Sequence, residues 1–391
     1  MDKERADYEI RSAAREFEQM LREQAARNER MRVRREVRRA DGRGVAKVII
    51  GLTGGDGIGP IIMSETRRVL SLLLDKALAE GRVEFNDIGG FTLEDRLACG
   101  KTVPDKVLME MKKCDVLLKG PTTTPSAAMN VANLESANVF LRKEFDLYAN
   151  VRPINIPSED IDWTFFRENT EGEYALGSRG VGISGILSAD FKITTHEGTR
   201  RIAEAAFSFA RKAGKKRLTI VTKANIMKKT DGDFLRICKE VAEDYPEVKT
   251  DSMFVDIMAA NLINKDIRSG FSVFLLPNLY GDIITDEAAQ IQGGVGTAGS
   301  ANIGEDYAIF EAVHGSAPRM IEEGIGEKAS PASLMKASAM MLEHIGFDNE
   351  SRRLDAALRR ADDIIGERMT GLENGASCGD YAAEVMRGLS I

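Results

Sequence analysis

Val48-Ile49-Ile50-Gly51-Leu52-Thr53-Gly54-Gly55-Asp56-Gly57-Ile58-Gly59-Pro60 is the stretch on which the reading of this chain turns. An apolar run enters a glycine-rich turn, and the turn opens a segment of helical spacing that extends from Pro60 toward Glu80. A short strand, a tight turn and a helix form the unit from which α/β folds are built. The turn imitates a dinucleotide fingerprint, which sets Gly-x-Gly-x-x-Gly between strand and helix. Here the third glycine stands one residue early. Pro60 suits the first position of a helix, where its missing N–H has no partner in any case. Two readings therefore stand at this point: a nucleotide grip and a tight structural turn.

Outward from this stretch the alternation continues. Asp115-Val116-Leu117-Leu118, Trp163-Thr164-Phe165-Phe166, Leu218-Thr219-Ile220-Val221 and Ser272-Val273-Phe274-Leu275-Leu276 are further strand-like runs, while residues 199–213 and 231–245 are amphipathic. Short apolar strands interleaved with helices predict an α/β fold with substantial parallel character. At 391 residues, two domains or one large α/β unit are expected. The body shows no internal repeat and no low-complexity linker.

Before Lys47 the sequence is rich in Arg and Glu. Ile10, Ala13, Phe17, Met20 or Leu21, Gln24 or Ala25, Asn28 and Met31 recur at helical spacing, which predicts a charged helical arm over residues 1–46. Its second half is basic (Arg27, Arg30, Arg32, Arg34, Arg35, Arg38, Arg39, Arg43), and Asp41-Gly42-Arg43-Gly44 reads as a break before the body. Mixed charge favours a solvated arm packed on the body or on a partner over a nucleic-acid or membrane patch.

The formal charge of −7 gives the body no reason to bind nucleic acid, and no apolar run approaches the roughly 20 residues of a membrane span. A soluble protein is expected. The charged N-terminus lacks an apolar signal core, so a cytoplasmic location is expected. Cys99, Cys114, Cys238 and Cys378 lie far apart with no Cys-x-x-Cys pair, which argues against a zinc site or a disulfide framework.

Several clusters could carry chemistry. Ser136, Asn138 and Arg142 lie close in sequence, followed by Arg152 and Arg167; guanidinium, hydroxyl and amide groups of this kind can cage a molecule bearing several carboxylates. Asp282 and Asp286, four residues apart after an apolar strand, would share one face of a helix, where two like charges invite a cation. With Asp256 they offer hard oxygen ligands suited to Mg²⁺ or Mn²⁺. A helix start that merely favours acidic residues explains the pair equally well. Lys223, at the end of a strand, could move a proton if cations or a metal lie beside it. Gly299-Ser300-Ala301-Asn302-Ile303-Gly304 and the stretch from Phe310 to Pro318 are rich in Gly, Ser and Ala, which permits close backbone approach to a phosphate or a flat ring.

Taken in order, Gly55-Asp-Gly-Ile-Gly-Pro60, Asn138-Val-Phe-Leu-Arg-Lys143, Arg167-Glu-Asn-Thr-Glu-Gly-Glu-Tyr174, Asn278-Leu-Tyr-Gly-Asp282 and His314-Gly-Ser-Ala-Pro318 resemble the β-decarboxylating dehydrogenases of isocitrate, 3-isopropylmalate and homoisocitrate. The resemblance runs from about Lys47 to the C-terminus. It implies a two-domain fold of the isocitrate/isopropylmalate dehydrogenase kind, not a Rossmann fold. The large domain would comprise residues 47–147 and 293–391, and a small domain of residues 148–292 would carry a dimer-forming clasp. It implies a homodimer or larger homo-oligomer with shared active sites. Ser136, Asn138, Arg142, Arg152 and Arg167 would hold substrate carboxylates, and Tyr174 and Lys223 would handle protons. Asp282 and Asp286, with Asp256 from a neighbouring protomer, would hold the metal; Lys223 would also cross from that neighbour. Thr124, Asn138, Glu311, His314, Gly315, Ser316, Ala317, Arg319 and Ser330 would line the cofactor pocket.

Within the family, Ser136 and Asn138 can donate to a third carboxylate where isopropylmalate enzymes present an apolar surface, so a tricarboxylate, isocitrate, is the expected substrate, ahead of homoisocitrate and isopropylmalate. A regulatory subunit of a hetero-oligomeric dehydrogenase is the alternative of a different class, and the retained ligands favour catalysis over it. After Pro318, NAD-linked relatives usually carry Asp-Ile and NADP-linked bacterial ones Lys-Tyr; this chain has Arg319-Met320, and Ser330 where relatives usually have Asn. Arg319 could meet a 2′-phosphate, but residues 369–375 hold no Tyr and Arg clamp of the NADP type. NAD is expected, with NADP as the alternative.

Overall fold

The computed structural model describes residues 3–38, 47–125, 134–177 and 179–390. The expected break at Asp41-Gly42-Arg43-Gly44, together with Arg39, lies outside them. In chain order the strands are β1 (Val48–Thr53), β2 (Val83–Asp87), β3 (Val116–Lys119), β4 (Ala149–Ile156), β5 (Ile161–Glu168), β6 (Val181–Ile183), β7 (Leu187–Ala189), β8 (Arg217–Thr222), β9 (Lys249–Phe254), β10 (Val273–Leu276), β11 (Gly299–Ile303) and β12 (Ala308–Ala312). No described helix is long and apolar enough to cross a membrane.

The chain divides into two compact units, one of Val45–Asn155 with Asp286–Ile391 and one of Ile156–Thr285 with Met1–Gly44. In the first unit the strands run in the order β2-β1-β3-β12-β11-β4. Parallel pairing joins β2, β1, β3 and β12. β11 is antiparallel to β12, onto which a tight turn at Gly304–Tyr307 folds it as a hairpin, and also to β4. β1 and β3 lie inside the sheet, which is why they read as continuous apolar runs rather than alternating ones. Ile50, Leu118 and Phe310 from the strands pack with Ile62, Leu70, Leu334, Met341 and Leu358 from the helices, all at most 1% exposed. Each such side chain contributes roughly 1.5–3 kcal/mol of burial.

The second unit carries β5-β10-β8-β9, all parallel. Its centre is aromatic: Phe165 and Phe274 stack at 4.3 Å, and Trp163 meets both edge-on. β6 and β7 form a separate antiparallel ribbon. The arm forms one helix, Lys3–Arg38, lying on this unit. Of the two candidates for its buried stripe, Met20 is buried and Leu21 exposed; Met31 is also buried, and Phe17 stacks on Phe191 at 5.0 Å.

The Gly55–Pro60 stretch resolves as a structural turn. Asp56 accepts the backbone N–H groups of Leu93 and Thr123 at 2.5 and 2.7 Å and pairs with buried Arg96 at 3.0 Å, while its own N–H donates to Pro121 O. Ile58 N–H donates to the Ser316 carbonyl at 3.0 Å. These backbone groups are committed to protein, and the turn ties the loops after β3 and β12 together. Gly57 has φ +57°, and a Cβ there would collide with that same Ser316 carbonyl. Gly81 has φ +67° but nothing within 4 Å. Gly81→Ala is therefore expected to lower stability by about 1 kcal/mol and Gly57→Ala by about 2–4 kcal/mol. Urea unfolding of the two variants checks this; equal losses would remove the close approach as the cause.

Candidate active site

β5 and β10 are parallel neighbours with Arg167 opposite Leu276, so the chain leaving each strand emerges at the same edge. The Arg167–Tyr174 motif therefore meets the Asn278–Gln292 helix. Arg167 is buried; its Nε and Nη2 donate to Asn278 Oδ1 at 3.0 and 2.7 Å, and its Nη1 pairs with Asp282. Tyr174 donates its hydroxyl to Asp282 Oδ2 at 3.0 Å, under the Arg167 guanidinium. Gly281 makes this approach possible, since a Cβ there would stand 2.5 Å from Arg167 Cγ. Three expected site residues are thus brought together within one unit.

Elsewhere in that unit, Lys223 Nζ pairs with Asp256 at 2.7 Å, and this bond holds the Asp256 carboxyl below its usual range. Two residues that sequence reasoning passed over support Lys223. Asp231, fully buried, accepts the Lys223 N–H at 2.7 Å and pairs with Lys192 at 2.6 Å. Lys192 also lies 4.2 Å from the Tyr280 ring centroid and 3.5 Å from Glu173. Burial alone would lower the Lys192 ammonium, but the charge and hydrogen bond of Asp231 prevail and raise it. Asp231 had a signal as a possible helix start; Lys192 stands alone in its stretch and had none.

In the first unit Ser136 precedes the helix Ala137–Glu144, on which Asn138 and Arg142 lie. Asn138 Oδ1 accepts from Thr122 Oγ1 at 3.1 Å, and Arg152 pairs with Asp286 at 2.8 Å. Glu311 is a hub: Lys119 stands at 3.0 Å, Arg142 at 3.5 Å, and Asn302 donates at 2.8 Å. Burial alone would raise the Glu311 carboxyl, but the charges of Lys119 and Arg142 outweigh it and bring it down to about 2.

The expected cofactor residues lie around the loop after β12. His314 Nδ1 faces the Gly315 carbonyl at 2.9 Å, while its buried Nε2 has no hydrogen-bond partner. Burial lowers this imidazole. A Cβ at Gly315 would meet nothing within 4 Å. Ser316 Oγ bonds Thr123 Oγ1 at 2.7 Å, Ala317 adopts φ 45°, and Ser330 Oγ accepts from Ala332 N. Thr124 is exposed. Arg319 pairs with Glu323 one helical turn on, at 2.6 Å. A ring nitrogen left without a protein partner, in a loop where Gly315 carries no side chain, fits a flat heteroaromatic ligand.

Among the described residues no group of three or more His, Cys, Asp or Glu side chains is assembled as a metal cage. Asp282 and Asp286 lie one turn apart on the Asn278–Gln292 helix, 39% and 57% exposed, each holding an arginine. Partly exposed carboxylates of this kind fit a hard divalent cation that keeps water or substrate oxygens.

Glu311 provides a test of the first unit's electrostatics. Its folded value lies below the ordinary 4.5, so its contribution is present above pH 4.5 and is lost as pH falls toward 2. Glu311→Gln, which leaves Lys119 buried without its counter-charge, is expected to cost about 3–5 kcal/mol at pH 7. That deficit should narrow in urea titrations carried out below pH 4.5; a deficit independent of pH would count against the charge as its source.

Comparison with known proteins identifies the family of the chain. Residues 49–382 match the family described as isocitrate/isopropylmalate dehydrogenase. The alpha chain of the mitochondrial NAD isocitrate dehydrogenase of Macaca fascicularis is 38% identical over 347 residues, covering 86% of this chain and 94% of its own length. A regulatory chain of the mitochondrial NAD isocitrate dehydrogenase of Dictyostelium discoideum is 36% identical, covering 86% and 91%. The crystal structure of isocitrate dehydrogenase from Methylococcus capsulatus superposes with a TM-score of 0.76 at 33% identity, over 88% of this chain and all of that one. The mitochondrial naming of these curated relatives overturns the expected cytoplasmic location. A missing apolar signal core does not separate cytoplasm from organelle. With the matched span, the fold and the order of its motifs in agreement, the chain belongs to the isocitrate/isopropylmalate dehydrogenase family.

Proposed function

We propose that this chain is a catalytic isocitrate dehydrogenase that converts isocitrate to 2-oxoglutarate and CO₂ with NAD and Mg²⁺ or Mn²⁺. The observation that carries this reading is the convergence of Arg167 and Tyr174 on Asp282: a carboxylate-binding cation, a proton donor and a metal-ligating oxygen meet at one point.

Arg142, Arg152 and Arg167 bind the substrate carboxylates, and Ser136 and Asn138 donate to the one that isopropylmalate lacks. Asp282 and Asp286, with Asp256 contributed by a second copy, hold the divalent ion. When bound, nicotinamide supplies the hydride acceptor and the ion supplies Lewis acidity at the new carbonyl. Lys223 takes the proton from the substrate hydroxyl. Tyr174, its hydroxyl oriented by Asp282, returns a proton to the carbon that has lost CO₂. The 2.7 Å bond between Lys223 and Asp256 keeps the two together as a unit that serves the second copy's site in a homodimer or larger homo-oligomer. The pairing of Arg319 with Glu323 supports NAD, because the neighbouring carboxylate opposes a 2′-phosphate.

Rates measured with isocitrate, homoisocitrate and isopropylmalate against NAD and NADP, with Mg²⁺ or Mn²⁺, are expected to peak for isocitrate with NAD. A tenfold preference for NADP would reverse the cofactor assignment, and a better rate on either other acid the substrate assignment. Turnover that arises only after a second kind of chain is added would favour a regulatory role. Asp282→Asn is expected to lower kcat by about 10³ or more while the unfolding transition is retained. Near-normal turnover of that variant at saturating Mg²⁺ would remove Asp282 from the chemistry.

A further inference from the structure

We infer that Arg27 of the N-terminal arm is a positioning residue for Arg167, acting through Glu171 and Asn278. The inference rests on the proposed binding of a substrate carboxylate by Arg167. The arm precedes residue 49, where the family match begins, so the match does not extend to this contact.

The arm is fixed along most of its length. Glu9 accepts the Ser184 N–H at 2.8 Å, Phe17 stacks on Phe191, Met20 is buried, and Glu23 pairs with Arg179 at 2.6 Å. Asn28 Oδ1 accepts the Glu197 N–H at 3.0 Å. Held on both sides in this way, Arg27 donates from Nη1 to Glu171 Oε1 and from Nη2 to Thr170 Oγ1, both at 2.8 Å. The Glu171 carboxylate, 3% exposed, also accepts the N–H and hydroxyl of Thr195 at 2.9 and 2.5 Å.

Glu171 then reaches Arg167 through its backbone. Its carbonyl accepts Asn278 Nδ2 at 3.0 Å, which turns the amide so that Oδ1 faces Nε and Nη2 of Arg167. Only that orientation of the amide presents an acceptor to the guanidinium. Fully buried Glu168 lies in the same cluster; burial and the Glu171 charge push it up to about 7, against the pull of Thr170 and of Arg27. Arg201 also donates to Thr170 Oγ1, at 3.2 Å, so loss of Arg27 leaves the cluster with a cation. A shift of Arg167, rather than collapse of the motif, is the consequence.

The test uses the full chain and four variants: Arg27→Ala, Arg27→Lys, Asn278→Ala and the double variant Arg27→Ala/Asn278→Ala. Arg22→Ala, whose partner is exposed Glu18 on the same helix, serves as control. Arg27→Ala is expected to raise KM for isocitrate five- to tenfold, with kcat and KM for NAD within twofold of the parent. Arg27→Lys should recover most of the change, and Arg22→Ala should show none. In the Asn278→Ala background, Arg27→Ala should add less than twofold, since its route to Arg167 is already cut. The inference is overturned by an unchanged KM for isocitrate, by a uniform loss in kcat and both KM values that tracks a lower Tm, or by additive effects in the double variant. Should Arg27→Ala fail to fold, Arg27→Gln carries the same readings. Activity of the unmodified chain on isocitrate decides the functional reading separately, because the ratios between variant and parent apply to whichever 2-hydroxy acid is turned over.

Discussion

A guanidinium withdrawn from water must find acceptors for its five N–H groups, and in the second unit Arg167 is held under that constraint at 1% exposure. Asn278 and Asp282 supply acceptors, and both stand on the first turns of the helix that follows β10. The helix can approach only because residue 281 has no side chain. Asp282 is thereby fixed where Tyr174 can reach it. One buried cation thus dictates the start of a helix, the place of a glycine and the orientation of a phenol.

The first unit obeys the same rule with the sign reversed. Glu311 is the buried ion, and Lys119, Arg142 and Asn302 gather around it from β3, from the helix Ala137–Glu144 and from β11. Its lowered pKa keeps it charged over the whole physiological range, so Arg142 retains its counter-ion. Buried ions of this kind are weak contributors to stability but strong determinants of geometry, because removing one partner strands the other.

What was legible in the sequence follows from the range of the interactions involved. The strands at 48–52, 115–118, 163–166, 218–221 and 272–276 were readable because burial on both faces leaves a largely apolar run. The glycine turn at 55–60 was readable as a departure from the dinucleotide spacing, and its partner, the Ser316 carbonyl, was not, since it comes from a loop more than 250 residues away. On the arm, helical spacing left Met20 and Leu21 as equals, and only the packed surface of the second unit separates them. Arg167, Tyr174 and Asp282 stand out by motif, whereas the motif that contains Asn278 gives no sign that this amide joins them. Lys192, Asp231 and Arg27 act through long-range pairs that no local period encodes. The cytoplasmic expectation failed for another reason: it was drawn from a missing signal.

The contact between Arg27 and Glu171 spans 144 residues, which has a consequence for how the protein is made. At about 5–20 residues per second, the ribosome would take roughly 7–30 s to deliver Glu171 after Arg27. During that interval the arm has nothing to lie on, and Phe17, Met20 and Met31 face solvent. Its pairs at i, i+4, Arg5 with Glu9 and Glu18 with Arg22, are local and can form at once. Residues 156–285 complete a parallel sheet of their own and can accept the arm before β11, β12 and the C-terminal helices exist. The first unit must wait for the last of the chain, so the order of synthesis permits a stage in which the arm is seated and half of the fold is still unmade.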